Sequence, residues 1–471
     1  MTECITQKLL FQELGSREVV ADFDGGTITS DAGAILLREV DLANGFVEGF
    51  ASCFTDFRHP GYIEHSVEEM VAQRIYGICL GYEDVVDHDA LRADPLFATL
   101  CGKTDPTGEE RRKERDRGNA LAGKSTLNRL ETGSGYRIDF GRYKKIVADG
   151  VKIADYFVKV FLDTYGKEPQ RIVLDLDATD DPLHGKQEGR FFHGYYDCYC
   201  YLPLYVFCNE HLLCAKLRPS NIDASEGALE EVERIVEMIR ERWPGVEIVL
   251  RGDSGFCREG IMSWCEAHGV DYLFGMARNS RLLSCICKEL KRAERIYQST
   301  GEPARLFKDF TYRTLNSWSR RRRVVAKAEY LPKGANPRFV VSSISKDQIP
   351  AQLLYEDEYC GRGDMENRIK EQQLYLFSDR TSSAMMRANQ LRLWFSSLAY
   401  VIMNELRKRV LQSTEFARAT CETIRLKLLK IGAQVRVSVR RVYLSLASGY
   451  PYQQVFCKIL STIRNTYPLR C

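Results

Sequence analysis

Residues 171–177 read RIVLDLD. Ile172, Leu174 and Leu176 alternate with Val173, Asp175 and Asp177, the period-2 pattern of a buried strand that ends in acid. A carboxylate at the end of such a strand is costly unless something satisfies it. Downstream, 200–208 (CYLPLYVFC) and 212–217 form two more strands across the turn Asn209-Glu210-His211. A helix begins near Asp223 or Ser225 and reaches Trp243 through Leu229, Val232, Ile235 and Ile239. A fourth strand, 246–250, ends at Arg251-Gly252-Asp253. A helix over 258–268 and a fifth strand, DYLFGM at 271–276, follow.

The order is β-β-β-α-β-α-β. Three antiparallel strands followed by α/β crossovers are the ribonuclease-H-like arrangement, although crossovers alone suit other α/β sheets. The fold class expected is therefore α/β: a ribonuclease-H-like core interrupted by a β-rich insert. A mostly helical N-terminal region precedes it and a helical, basic C-terminal region follows. The boundaries read as 1–165 for a helical DNA-binding or dimerising region and 166–276 for the first part of the core. The insert spans 277–350, the second part of the core 351–410, and the basic end 411–471. The insert carries Trp318 beside Arg320, Arg321, Arg322 and Arg323. After it, 366–377 and, more strongly, 389–409 have helical spacing.

In the N-terminal region, Val19, Ala21 and Phe23 alternate as in a strand, and Asp24-Gly25-Gly26 is a turn signal. Helical spacing recurs over 66–80 and 121–131. The charged, Gly- and Pro-containing run 103–118 reads as a surface linker.

The chain has 471 residues, 44% hydrophobic and 28% charged, an ordinary globular balance that argues against long disorder, collagen or a coiled-coil rod. At roughly 100–200 residues per domain the length suggests two to four domains. No run approaches the roughly 20 apolar residues of a membrane helix. Residues 1–15 lack a basic segment followed by an apolar one, so the expected location is the cytoplasm. The 16 cysteines contain no CxxC pair; Cys198/Cys200 and Cys285/Cys287 are CxC pairs. Without metal spacing or a leader they read as buried thiols. The formal charge of +3 hides a polarity. Residues 380–471 hold 16 Lys and Arg against 3 Asp and Glu, and the rest of the chain is net acidic. A basic end on an acidic body points to a polyanion, usually nucleic acid.

In a ribonuclease-H-like sheet the strands ending in Asp177 and Asp253 are neighbours, and their carboxylates converge. Two such acids repel, which favours a cation between them. Oxygen-only ligands select Mg²⁺ or Mn²⁺. A third acid completes a two-metal site. The segment 359–373, YCGRGDMENRIKEQQ, places Tyr359, Arg362, Glu366 and Lys370 at offsets that share one helical face. Gly361 and Gly363 start the regular helix near Asp364, which leaves Tyr359 and Arg362 for the turn before it. Glu366 supplies the third acid, while Arg362 and Lys370 suit phosphate. Each acid alone reads as a cap or turn residue; the joint pattern is the specific signal. Asp175 and Asp177 compete for the ligand role, with Asp177 nearer the strand end.

These residues resemble the DDE transposases of bacterial insertion sequences, in the superfamily with a Tyr-Arg-Glu-Lys signature. More narrowly they resemble the insertion sequence family 1380 group. The resemblance rests on ADFDGGTITSDAGAILLREVD from Ala21, QRIYGICLGYEDVVDHDALRADP from Gln73 and STLNRLE from Ser125. It continues in LDLDATDDPLHGKQEG from Leu174, LRGDSGFCRE from Leu250 and RLWFSSLAYVIMNELR from Arg392. It implies Asp177, Asp253 and Glu366 as a catalytic, metal-holding triad for two Mg²⁺ (or Mn²⁺) ions, with Tyr359 and Arg362 as signature residues. The signature's Lys falls where this chain has Gln373, and Lys370 is the nearest substitute.

The implied reaction is phosphodiester hydrolysis at a transposon end, followed by attack of the freed 3′-OH on target DNA. The partners implied are terminal inverted repeats, target DNA and a second copy of the chain in a synaptic dimer, with no membrane. The arginines 320–323 are expected on the DNA backbone, and Trp318 is a candidate stack for a flipped base. His184 and His193 lack partners at metal spacing and read as substrate-side or structural. A nuclease that cuts without joining, and a non-catalytic DNA-binding protein on the same scaffold, are the alternatives.

Overall fold

The strand expected at 171–177 forms as β1, Arg171–Ala178, in a computed structural model that describes residues 8–133 and 145–467. The first seven residues of the stretch read for a leader, and Arg470 of the basic end, lie outside those described residues. The chain divides into two compact units, one of residues 148–397 and one of 1–147 with 398–471.

In the first unit, Ile172, Leu174 and Leu176 of β1 enter a core with Phe161, Ile235, Ile239 and Met262. Those partners come from the helices Gly150–Asp163, Ala228–Arg242 and Glu259–Ala267. Each such side chain contributes about 1.5–3 kcal/mol when fully buried. A one-residue slip would drive Asp175 and Asp177 into that core instead, so the apolar face holds the register.

Three short strands follow: β2 (Asp181–Pro182), β3 (Phe191–His193) and β4 (Cys198–Tyr201). They form a separate sheet of order β2-β4-β3. Then come β5 (Leu204–Cys208), β6 (His211–Lys216), β7 (Glu247–Gly252) and β8 (Asp271–Met276). The strand expected at 200–208 is thus two. Pro203 offers no backbone N–H, so the ladder breaks there and the two halves join different sheets.

The region 277–350 opens not on strands but on two helices, Ser280–Cys285 and Cys287–Thr300. Its strands are β9 (Ala304–Tyr312), β10 (Arg322–Leu331), β11 (Gly334–Ala335) and β12 (Arg338–Ser342). They build no sheet of their own. They extend the large one, which has nine strands in the order β6-β5-β1-β7-β8-β12-β10-β9, with β11 on β10. β7 runs parallel to β1 and β8 parallel to β7, while β5 and β12 run antiparallel to their neighbours in the core. The sheet is therefore mixed.

In the second unit, the helix Val67–Leu80 starts in a capping box of Ser66 and Glu69. The stretches quoted from Gln73 and Ser125 meet beneath it. Buried Arg74 pairs with buried Glu131 at 2.9 Å, and His88 lies between Arg74 and Gln73 at 3.0 and 3.2 Å. Burial, then Arg74, holds the His88 ring well below its usual pKa, so it is neutral. These residues build the framework. The expected linker at 103–118 is an ordered loop whose Arg111 bonds Glu64 at 2.8 Å.

The C-terminal region is not purely helical. Ala433–Ser438 and Arg441–Leu446 pair as a hairpin, and Ile28–Thr29 adds a third strand. The reason is local: Val435 and Val437 alternate along one strand, and Val442 and Tyr443 are β-formers on the other. Gly33 lies so close to the Leu428 carbonyl that a Cβ would overlap it, so only glycine fits where these two segments meet. Among the described residues the cysteines are free thiols. No helix there is long and apolar enough to cross a membrane.

Candidate active site

The register of β1 against β7 sets the site. Arg251 lies opposite Asp175 and Gly252 opposite Leu176, so Asp253 leaves the sheet beside Asp177. Asp175 and Asp177 share the strand face away from the helical core, but their partners differ. Asp175 is buried and accepts two bonds from Arg251, that from Nη2 at 2.7 Å. Burial pushes its carboxyl up, and Arg251 pulls it back. Asp175 is thereby tied within the sheet.

Asp177 faces the helix that follows the insert. The path there is irregular: a wide turn over Leu354–Tyr359, a tight one over Cys360–Arg362, then the regular helix Gly363–Leu376. Tyr359 and Arg362 stand in those turns, ahead of the helix that carries Glu366. The path is fastened to the sheet by ion pairs and main-chain bonds. Arg171 bonds Glu358 at 3.0 and 2.8 Å, and Arg251 donates to the Glu358 carbonyl. Gly275 on β8 leaves room for the Tyr359 hydroxyl, which a Cβ would meet along with the backbone of Asp253.

Arg362 links the acids. Its guanidinium bonds Asp177 Oδ1 at 3.2 Å and Glu366 Oε1 at 3.1 Å, while its buried Nε has no partner. Burial pushes the Asp177 carboxyl up to about 6; Arg362 opposes this, and the charges of Asp253 and Glu366 add to it. Asp253 Oδ1 accepts the Gly255 N–H at 2.8 Å, which shapes the turn after β7.

No group of three or more His, Cys, Asp and Glu among the described residues is already gathered to hold a metal ion. Here Arg362 is the cation that bridges two of the acids. The donor set fits a hard divalent ion: carboxylate oxygens at two adjacent strand ends and one helix, with a raised carboxyl that a cation would relieve.

The remaining sequence candidates divide. Lys370 is exposed on the same helix. Gln373 donates to the Asp180 carbonyl at 3.0 Å, and so pins the loop after β1. Arg320 and Arg321 are exposed, the former 3.5 Å from Glu266. Arg322 is buried against Glu259 and Glu266 at 2.6 and 2.7 Å. Arg323 bonds Asp309 and the Ile344 and Ile349 carbonyls. Trp318 is 4% exposed and packs edge-on against Tyr312, so its ring has no open face for a base. Sequence reasoning missed Arg171, Arg251 and Glu358, which dock the Glu366 path. A signal existed for one: an Arg inside an apolar strand, VLRG, with an Asp inside another, VLDLD.

The family profile described as "Transposase DDE domain group 1" matches residues 11–468. The chain belongs to this family and is a DDE transposase. No curated protein matches it. A solved piggyBac transposase synaptic complex with hairpin DNA is similar at 12% identity and a TM-score of 0.39, covering 94% of this chain and 86% of that one. A likeness at that level decides nothing about residues.

Proposed function

We propose that this transposase cuts a phosphodiester at the ends of a mobile element and joins the freed 3′-OH to target DNA. In this reading β1, β5, β6, β7 and β8 with their helices are a ribonuclease-H-like core. Asp177, Asp253 and Glu366 hold two Mg²⁺ or Mn²⁺ ions, in keeping with the divalent-ion chemistry general to the family. The observation that supports it is that Asp177 and Asp253 belong to the ends of neighbouring parallel strands, with Glu366 joined to Asp177 through Arg362.

Bound ions would supply Lewis-acid stabilisation of the attacking and leaving oxygens. The protein's own part is positioning. Arg171 and Arg251 hold the Glu366 path on the sheet, and Arg362, once off Asp177, presents a two-pronged donor to a phosphate. Exposed Lys370, Arg320 and Arg321 supply point charges for the DNA backbone. The substrates are terminal inverted repeats and target DNA, gathered by a dimer of this chain. The element belongs to the insertion sequence family 1380 group of bacteria, and the enzyme works on nucleoid DNA in the cytoplasm.

The test is Glu366→Gln on labelled inverted-repeat DNA. Cleavage and joining in Mg²⁺ should both vanish, while end binding persists and weakens with salt. Retained Mg²⁺-dependent cleavage would show the triad to be misassigned.

A further inference from the structure

The small sheet between β1 and β5 exposes aromatic rings that no core uses. Phe192 of β3 lies directly opposite Tyr199 of β4, and their rings meet edge-on at 5.5 Å. Phe192 is 53% exposed, Tyr199 44% and Tyr195 at the loop tip 85%. The Arg190 guanidinium stacks on the Tyr199 ring at 3.6 Å. Arg190 covers one face of Tyr199, whereas Phe192 and Tyr195 stay more than half exposed.

The location gives the rings a meaning. The hydroxyl of Tyr196, next to Tyr195, donates to the carbonyl of Ala178 at 3.2 Å, one residue past Asp177. The rings of Tyr195 and Tyr196 are 5.0 Å apart, edge to face. Burial pushes the Tyr196 hydroxyl pKa up, and the charges of Asp180, Asp177 and Asp253 add to that. The loop therefore sits beside the acids of the candidate site, on the strand that carries one of them.

We infer that this hairpin is a binding site for unpaired bases of single-stranded DNA leaving the catalytic carboxylates, with Tyr195 as the stacking platform and Phe192, Tyr199 and Arg190 as the wall beyond it. The inference rests on the reading of Asp177, Asp253 and Glu366 as the cutting site. Stacking suits this task because every base has a π-face, so binding is tolerant of sequence. A guanidinium over an aromatic ring adds a cation for the phosphate that accompanies each base. A duplex, whose bases are already stacked, gains nothing from the same rings.

The test uses the full chain without divalent metal, so that no strand is cut. The probes are a blunt duplex and the same duplex with a short single-stranded 3′ overhang that carries 2-aminopurine. The wild type should bind the overhang DNA about tenfold more tightly than the blunt DNA and quench the probe, as expected for a stacked base. Tyr195→Ala should lose that preference and the quenching while it keeps blunt-duplex affinity. Tyr195→Phe should keep both, since only the ring is needed. Phe192→Ala should lose part of the preference.

Equal affinity of the wild type for both probes overturns the inference. So does an unchanged preference in Tyr195→Ala. A change only in the sedimentation of Tyr195→Ala, with both affinities intact, also overturns it, because it makes the hairpin a protein contact. A separate cleavage assay in Mg²⁺ distinguishes the two readings. Cleavage with no overhang preference sinks the hairpin alone; overhang preference without cleavage sinks the cutting site and leaves the stacking site standing.

Discussion

Asp177→Asn should make the metal-free protein more stable at alkaline pH while it destroys the candidate site. The Asp177 carboxyl sits at about 6 against an ordinary 3.8, a rise of about two units. At about 1.36 kcal/mol per unit, this corresponds to about 3 kcal/mol between the protonated and charged forms. The folded-state value is the raised one, so the stabilising contribution is complete below 3.8 and is lost as pH climbs through about 6. An Asn does not titrate. The stability difference between variant and wild type should therefore move by up to about 3 kcal/mol in the variant's favour between about pH 4 and about pH 8.

The two units need not unfold together, so the assay is amide hydrogen exchange of β1 in EDTA, variant against wild type at each pH. That comparison cancels the intrinsic exchange rates. Greater protection of β1 in the variant at pH 8, shrinking at pH 4, is the expected result. Protection that falls in the variant, or that does not change with pH, would refute the raised Asp177 carboxyl. Added Mn²⁺ should then raise β1 protection in the wild type and leave Asp177→Asn unmoved.

Three more outcomes follow from the same geometry. Arg362→Ala removes the guanidinium that competes for Asp177 and Glu366, so Mn²⁺ should bind more tightly by titration calorimetry while DNA cleavage falls; weaker Mn²⁺ binding would contradict the bridge. Arg251→Ala strands the buried Asp175 carboxylate and should cost about 3–5 kcal/mol by amide exchange of β1; adding Asp175→Leu should recover much of it, and no recovery would mean that Arg251 acts elsewhere. Gly275→Ala places a methyl against the Tyr359 hydroxyl and should cost about 1–3 kcal/mol as overpacking; Tyr359→Phe in the same chain should relieve part of that cost, and a fully additive pair would deny the contact.

Patterning along the chain was enough to announce the frame. The alternation in RIVLDLD determines that Asp175 and Asp177 share a face, because side chains in a strand repeat every two residues whatever surrounds them. The Ser66 capping box and the helix behind Glu366 are local in the same sense. The quoted motifs, spread from Ala21 to Arg407, were enough to indicate the family.

Local pattern says nothing about what lies across a strand or under a helix, and the tertiary structure decided those points. The β1–β7 register pairs Arg251 with Asp175, which leaves Asp177 to face Arg362. In sequence Asp177 was favoured only as the one nearer the strand end, because a ladder's register is set by the closure of distant segments on a common core. Trp318 and Arg322 looked like exposed ligands for DNA, yet the acids Glu259 and Glu266 that bury Arg322 stand some sixty residues earlier. The strand at 200–208 was broken by one missing N–H at Pro203, which freed an aromatic hairpin beside the acids. Long-range packing alone could bring Ile28–Thr29 against Ala433–Ser438, since neither segment has a local reason to find the other.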